Sequence, residues 1–235
     1  MPRRPRSPGR STPRHRLGGW LLLGCFLLPG LEAVRANWNF ADILTTAEQR
    51  YGPLGSAQAR IEAWNQMLQS QAGLTEREQL TTVNRFFNQQ LSFRDDSRVW
   101  QQIDYWATPV EALVKGAGDC EDYALGKYFS LRQLGVPAEK LRITYVKALT
   151  RNQAHMVLTY YPSPTADPLV LDNLISDIRP ASQRKDLLPV YAFNAEGLYT
   201  PGANGGQRKG DAKRLSRWQD LLRKMQAEGF AVGDG

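Results

Sequence analysis

Cysteine and histidine are scarce in this chain: 235 residues hold two of each. Cys25 and His15 both fall in the first 36 residues, so residues 37–235 carry one thiol, Cys120, and one imidazole, His155. A single thiol excludes an internal disulfide, and an odd cysteine in an exported protein reads as a reactive group. Charge is scarce in the same stretch. The net charge is +7, but residues 1–36 set seven arginines against Glu32 alone, a net of +6, which leaves +1 for residues 37–235. A body so close to neutral gives a nucleic-acid partner no electrostatic support. Long apolar runs are missing as well. Trp20 to Leu28 is far shorter than the roughly 20 residues that span a bilayer. No internal repeat and no second domain boundary are visible.

What stands at the start is an arginine-rich segment, a short apolar core, Pro29-Gly30 and then Val34-Arg35-Ala36, which is the order of a secretory signal. We expect residues 1–36 to be a signal peptide cut after Ala36, leaving a single exported domain over 37–235. A retained anchor is the competing reading. Lipoprotein processing at Leu22-Leu23-Gly24-Cys25 is opposed by apolar Phe26-Leu27-Leu28 directly after the cysteine.

Periodicity predicts helices first and strands afterwards. Helices are expected over Phe40–Tyr51, Ala57–Ser70 and a stretch opened by Thr75-Glu76-Arg77-Glu78, a capping box in which threonine and glutamate satisfy each other's backbone N–H groups. Asp95-Asp96-Ser97-Arg98 reads as a solvated polar turn, since the glycine and spaced acids of a calcium loop are missing. Thr108, Pro109 and Glu111 predict a short helix with Gly116 past its end, then a flexible Gly116-Ala117-Gly118 link into a helix over Cys120–Leu134. That helix should turn Ala124, Leu125, Tyr128 and Leu131 inward. From Leu141 the residues become β-branched and aromatic, with strands expected at Leu141–Leu149, Gln153–Tyr161, Leu169–Asn173 and Leu188–Phe193, Tyr199 lying near the end of the last. Short links favour antiparallel pairing. Gly202–Gly210 reads as a basic loop, and Asp211–Ala227 as a helix packing through Trp218, Leu221, Leu222 and Met225. The fold class is therefore α+β, a helical amino-terminal part followed by an antiparallel sheet.

The chemistry gathers around Gly118-Asp119-Cys120-Glu121-Asp122. A thiol at a helix start meets unpaired N–H groups and the positive end of the helix dipole, both of which favour thiolate. A Cys-His-Asp arrangement needs an imidazole to take the thiol proton and a carboxylate to hold that imidazole. His155 and Asp172 lie in consecutive expected strands, where a hairpin register can bring them together. A histidine in a strand is also a common structural residue.

Asp104-Tyr105-Trp106-Ala107-Thr108-Pro109, Gly116 to Ala124, Ala154-His155-Met156-Val157-Leu158 and Leu171-Asp172-Asn173 together resemble the bacterial transglutaminase-like cysteine proteinases, over roughly residues 38–225. The resemblance implies a papain-like fold and catalysis by Cys120 as nucleophile, His155 as base and then acid, and Asp172 as the orienting carboxylate. It implies a periplasmic endopeptidase that releases a large surface adhesin by cutting near its amino terminus at a pair of alanines. It also implies dependence on Ca2+ and control by an inner-membrane cyclic di-GMP receptor that sequesters the enzyme. Asp119, Glu121 and Asp122 bear on the calcium. They can serve simply as helix caps, yet negative charge beside a thiol raises its pKa, and a bound cation reverses that field. Oxygen ligands suit calcium, so these three acids are the expected ligands. The Cys120 backbone N–H is the natural oxyanion donor, and the Trp106 indole N–H is a candidate for the second, with core packing as its other reading. Alanine at Cys120, His155 or Asp172 should leave a folded, inactive protein, Asp172 giving the mildest effect. The alternatives to a peptidase are a transglutaminase or other thiol acyltransferase, and a non-catalytic, calcium-stabilised binding module.

Overall fold

The computed structural model describes Met1 and residues 38–71, 73–201, 206–212 and 215–231. The secretory signal expected over 1–36 lies outside the described residues apart from Met1. Three helices come first, α1 (Phe40–Tyr51), α2 (Ser56–Ser70) and α3 (Glu76–Gln90), the last opened by the Thr75/Glu78 capping box that its sequence announces. A two-residue strand β1 (Ser92–Phe93) and a single helical turn α4 (Asp96–Val99) lead to α5 (Pro109–Lys115). Thr108 and Glu111 form a second capping box there, and Gly116 closes the helix in the left-handed conformation, at φ 63°.

Ala117–Gly118, expected as a flexible link, is instead strand β2, paired in parallel with β1. Helix α6 (Cys120–Gln133) follows, and it differs from the expected one-sided helix. Every residue from Asp122 to Leu131 is buried, because α3 and α5 cover one side of α6 and the sheet the other. At Gly126 an added Cβ would lie 2.4 Å from the Phe87 ring, so only glycine lets α3 approach this closely. Ser130 resolves its own burial by donating to the Gly126 carbonyl and accepting the Trp64 indole N–H at 2.8 Å.

Seven antiparallel strands form the main sheet in the order β6-β5-β4-β3-β7-β8-β9. They are β3 (Leu141–Ala148), β4 (Gln153–Tyr160), β5 (Leu169–Leu171), β6 (Arg179–Pro180), β7 (Leu187–Asn194), β8 (Gly197–Thr200) and β9 (Gln207–Gly210). Two expectations fail here. Tyr199 belongs to a strand of its own, and Gln207–Gly210, read as loop, pairs with β8; residues 202–205 lie outside the described set. Helix α7 (Ser216–Ala227) starts five residues later than expected but packs through Trp218, Leu221, Leu222 and Met225 as its spacing predicts. Trp218 stacks on Phe129 of α6, ring centres 5.5 Å apart.

The main core lies between helices and sheet, with Trp64, Phe87, Leu125, Ile143, Leu158 and Phe193 at its centre. A smaller cluster, Val146, Val157 and Val170 with Ala181 and Leu187 against it, covers the other face of β3, β4 and β5. By strand alternation His155 shares that second face with Val157.

Candidate active site

Cys120 is the first residue of α6, and the close fit beneath it depends on glycine. A Cβ at Gly118 would lie 2.6 Å from Asp122 Oδ2, because the Asp122 carboxylate folds back under the turn. From there its oxygens accept the Ala107 N–H at 2.8 Å and the Asp119 N–H at 3.3 Å. The thiol is half-buried and donates to Glu121 Oε2 at 3.0 Å. Cys120 packs against the core cluster that holds Met156, the neighbour of His155. β5 pairs with β4 only over Leu158–Tyr160, so that pairing stops short of His155 and Met156. Burial pushes the thiol pKa well above its ordinary value, and the charges of Glu121 and Asp119 push it further.

His155 is buried, and its Nε2 lies 2.8 Å from Oδ1 of Asp172, one residue past the end of β5. The backbone carbonyl of Asp172 accepts from Asn88 Nδ2 of α3 at 2.8 Å. Oδ1 also accepts the Leu174 N–H at 3.0 Å, and Oδ2 accepts from Arg184 Nη2 at 2.7 Å. Burial raises the Asp172 pKa, but His155, the Leu174 N–H and Arg184 outweigh it and bring it down to about 2. With Nε2 so engaged, Nδ1 is the ring nitrogen left to exchange a proton with the thiol. Lys127, two turns along α6 from Cys120, is fully buried. Burial lowers its pKa to about 7, against the pull of the Asp172 charge, and its ammonium sits 5.7 Å from the centre of the Tyr123 ring.

The acids around Cys120 belong to a larger group than the sequence suggests. Ligand oxygens of Asp96, Asp104 and Glu121 lie within 4.8 Å of one another, and so do those of Asp96, Asp119 and Asp122. Asp96 is only 2% exposed; its Oδ2 accepts the Tyr105 N–H. Its Oδ1, and Oδ1 of both Asp104 and Asp119, are buried without a hydrogen-bond partner. Burial and mutual repulsion raise the pKa of Asp119 and Asp122, and burial takes Asp96 to about 6. Orphaned carboxylate oxygens converging from several segments, all hard donors, fit a divalent cation.

Asp119, Glu121 and Asp122, the three acids expected as ligands, all stand in these groups, and Asp122 also accepts two backbone N–H groups that brace the turn. Asp96 and Asp104 join them. Asp96 escaped the sequence reading because nothing in Asp95-Asp96-Ser97-Arg98 shows the buried setting that Tyr105 and α6 create. Arg184 and Lys127 also went unread, the first for lack of any local pattern and the second because lysine on a helix reads as surface. Trp106, a candidate for the second oxyanion donor, is buried, and its ring stacks on Phe193 at 5.4 Å, as its core-packing reading requires.

No curated protein sequence matches the chain significantly. Residues 57–186, more than half of the chain, match the bacterial transglutaminase-like cysteine proteinase family, BTLCP. Among solved structures, Legionella pneumophila LapG is 44% identical, covering 78% of this chain and 97% of its own, with a TM-score of 0.67. Its EGTA-treated form, also 44% identical over the same shares of the two chains, superposes with a TM-score of 0.69. Its calcium-bound form is 43% identical over 80% of this chain and 99% of its own, with a TM-score of 0.68. The thiol at the start of a buried helix, the His155–Asp172 pair on the sheet and this similarity in sequence and fold agree, and the chain belongs to the bacterial transglutaminase-like cysteine proteinases.

Proposed function

We propose that the protein is an exported, calcium-dependent cysteine endopeptidase in which Cys120 is the nucleophile, His155 the general base and then acid, and Asp172 the carboxylate that holds His155. The observation that carries the reading is the buried 2.8 Å His155–Asp172 contact, with His155 on β4, the strand against which α6 packs, and Cys120 opening that helix. His155 Nδ1 takes the thiol proton as sulfur attacks the scissile carbonyl. The Cys120 N–H at the helix start receives the developing oxyanion. Nδ1 then gives its proton to the departing amine, leaving an acyl-enzyme. Water, deprotonated by the same nitrogen, frees the acid and restores the thiol. Throughout, Asp172 keeps Nε2 protonated and the ring in place.

Asp96, Asp104, Asp119 and Glu121 would hold the metal, which calcium suits by its preference for oxygen, and the calcium-bound form of LapG supports that choice. When bound, the ion offsets the negative charge that opposes thiolate formation at Cys120. The family supports the remaining parts of the proposal: the substrate is a large surface adhesin cut near its amino terminus, with biofilm dispersal as the outcome, and an inner-membrane cyclic di-GMP receptor sequesters the enzyme in the periplasm.

The test is incubation with the amino-terminal part of a large adhesin from the same cell, in calcium, in EGTA, and in calcium with an added primary amine. Mass spectrometry should show peptide cleavage in calcium, none in EGTA and none with Cys120→Ala. Incorporation of the amine without cleavage would make the enzyme an acyltransferase instead.

A further inference from the structure

Arg184 sits where the chain passes from a 3-10 turn (Ala181–Gln183) towards β7, and its backbone is held on both sides. Its N–H donates to the Ala181 carbonyl at 2.9 Å, and its carbonyl accepts the Leu187 N–H at 3.0 Å. The residue is 2% exposed. Its guanidinium grips two carboxylates: Nη2 reaches Asp172 Oδ2 at 2.7 Å, while Nε and Nη2 reach the two oxygens of Asp186 at 3.0 and 2.8 Å. The two-point contact with Asp186 fixes the plane of the fork, and the fork fixes the Asp172 carboxylate.

Stability does not account for this arrangement. A buried ion pair recovers little more than its desolvation cost, and apolar side chains could fill the same space. What the arrangement supplies is direction. A carboxylate can present either oxygen by rotating about its last bond, and His155 would follow whichever it met. With Oδ2 held by Arg184, and Oδ1 anchored by the Leu174 N–H, only Oδ1 faces the imidazole.

Resting on the catalytic reading above, we infer that Arg184 is a positioning residue for the reaction, holding Asp172 so that His155 keeps its proton on Nε2 and leaves Nδ1 bare toward Cys120. Asp186 serves as the outer half of the same clamp.

The chain suits a direct test, because it contains only His15 besides His155. In full-length protein carrying His15→Gln and labelled with 15N-histidine, the ring nitrogen signals report the tautomer of His155 alone. The parent protein should show Nε2–H. Arg184→Gln should give a mixture of tautomers and lower kcat by about 10- to 100-fold, as loss of outer partners of functional histidines does, with KM little changed. Arg184→Lys, which keeps the charge and one contact, should recover part of both. Asp186→Asn should shift the ring signals in the same direction by less, and it carries the test if Arg184→Gln does not fold. Parent-like ring signals in whichever variant is read would overturn the inference, whether or not activity falls. A parent protein that never cleaves the adhesin fragment defeats the peptidase reading instead, and the tautomer measurement stands apart from that outcome.

Discussion

Asp172 meets four partners, three through its carboxylate and one through its carbonyl, so removing its side chain does more than disable a base. Asp172→Ala strips Arg184 of one of its two carboxylates and removes the charge that Lys127 faces, both in full burial. Breaking a buried pair from one side costs about 3–5 kcal/mol. The variant expected from sequence to be mildest should therefore be the least stable of the three, while Cys120→Ala stays within about 1 kcal/mol of the parent. Urea unfolding of the three variants in parallel checks the order. The same carboxyl is sensitive to acid. Its folded pKa of about 2 lies below the ordinary 3.8, so the stability it contributes is complete above about pH 4 and is lost as pH falls towards 2. At the acid cluster, Asp96→Asn and Asp104→Asn should each weaken calcium binding at least tenfold, about 1.4 kcal/mol, and shrink the rise in Tm that calcium produces. An unchanged rise in either variant would remove that residue from the ligand set.

Among the elements, α7 is joined to α5 by a buried polar network. Glu228, at the end of α7, accepts from Thr108 at 2.8 Å and Tyr51 at 3.2 Å, with Arg50 4.0 Å away. Its neighbour Glu111 accepts from Tyr105 and from Lys224 of α7. Burial first, then the charge of Glu111, raises the Glu228 pKa to about 7 against the bonds from Thr108 and Tyr51 and the charge of Arg50. A carboxyl raised from 4.5 to 7 keeps its proton in the folded state, so its stabilising contribution is complete below about pH 4.5 and disappears as pH rises through 7. The Tm of Glu228→Gln minus that of the parent should grow between pH 5 and pH 8, a swing of up to about 3 kcal/mol. A difference independent of pH would show that Glu228 is ionised throughout. What sequence revealed at this scale was local. Thr75/Glu78 and Thr108/Glu111 were legible as caps because all the partners sit within four residues. The β9 strand was not, because only its pairing with β8 makes a strand of the polar segment Gln207-Arg208-Lys209-Gly210. The one-sided α6 was misread for the same kind of reason: its burial is decided by α3, α5 and the sheet together.

For the molecule as a whole, sequence singled out Cys120 and His155 by rarity and Asp172 by its place in the next expected strand, but not the buried residues around them. Asp96, Asp104, Arg184 and Lys127 act across gaps that no spacing rule connects. The acid cluster joins the 96–104 segment to the first turn of α6, and the sheet takes no part in it. Calcium should therefore slow amide hydrogen exchange over residues 94–106 and 119–123 while leaving β3, β4 and β7 unchanged. Uniform protection across the chain would point to global stabilisation in place of a local clamp.

Asp104 has a second tie, to Arg217 of α7, which meets its carboxylate at 2.9 Å and its backbone carbonyl through a second bond. Lys224, two turns along the same face of α7, holds the Trp106 carbonyl at 2.6 Å. On the ribosome Asp104 emerges 113 residues ahead of the arginine that braces it. Cys120, His155 and Asp172 all precede that brace in sequence, so the acid pocket beside the thiol is held from the far end of the chain. A chain cut before Ser216 would keep Cys120, His155 and Asp172 and lose the grip of Arg217 on Asp104.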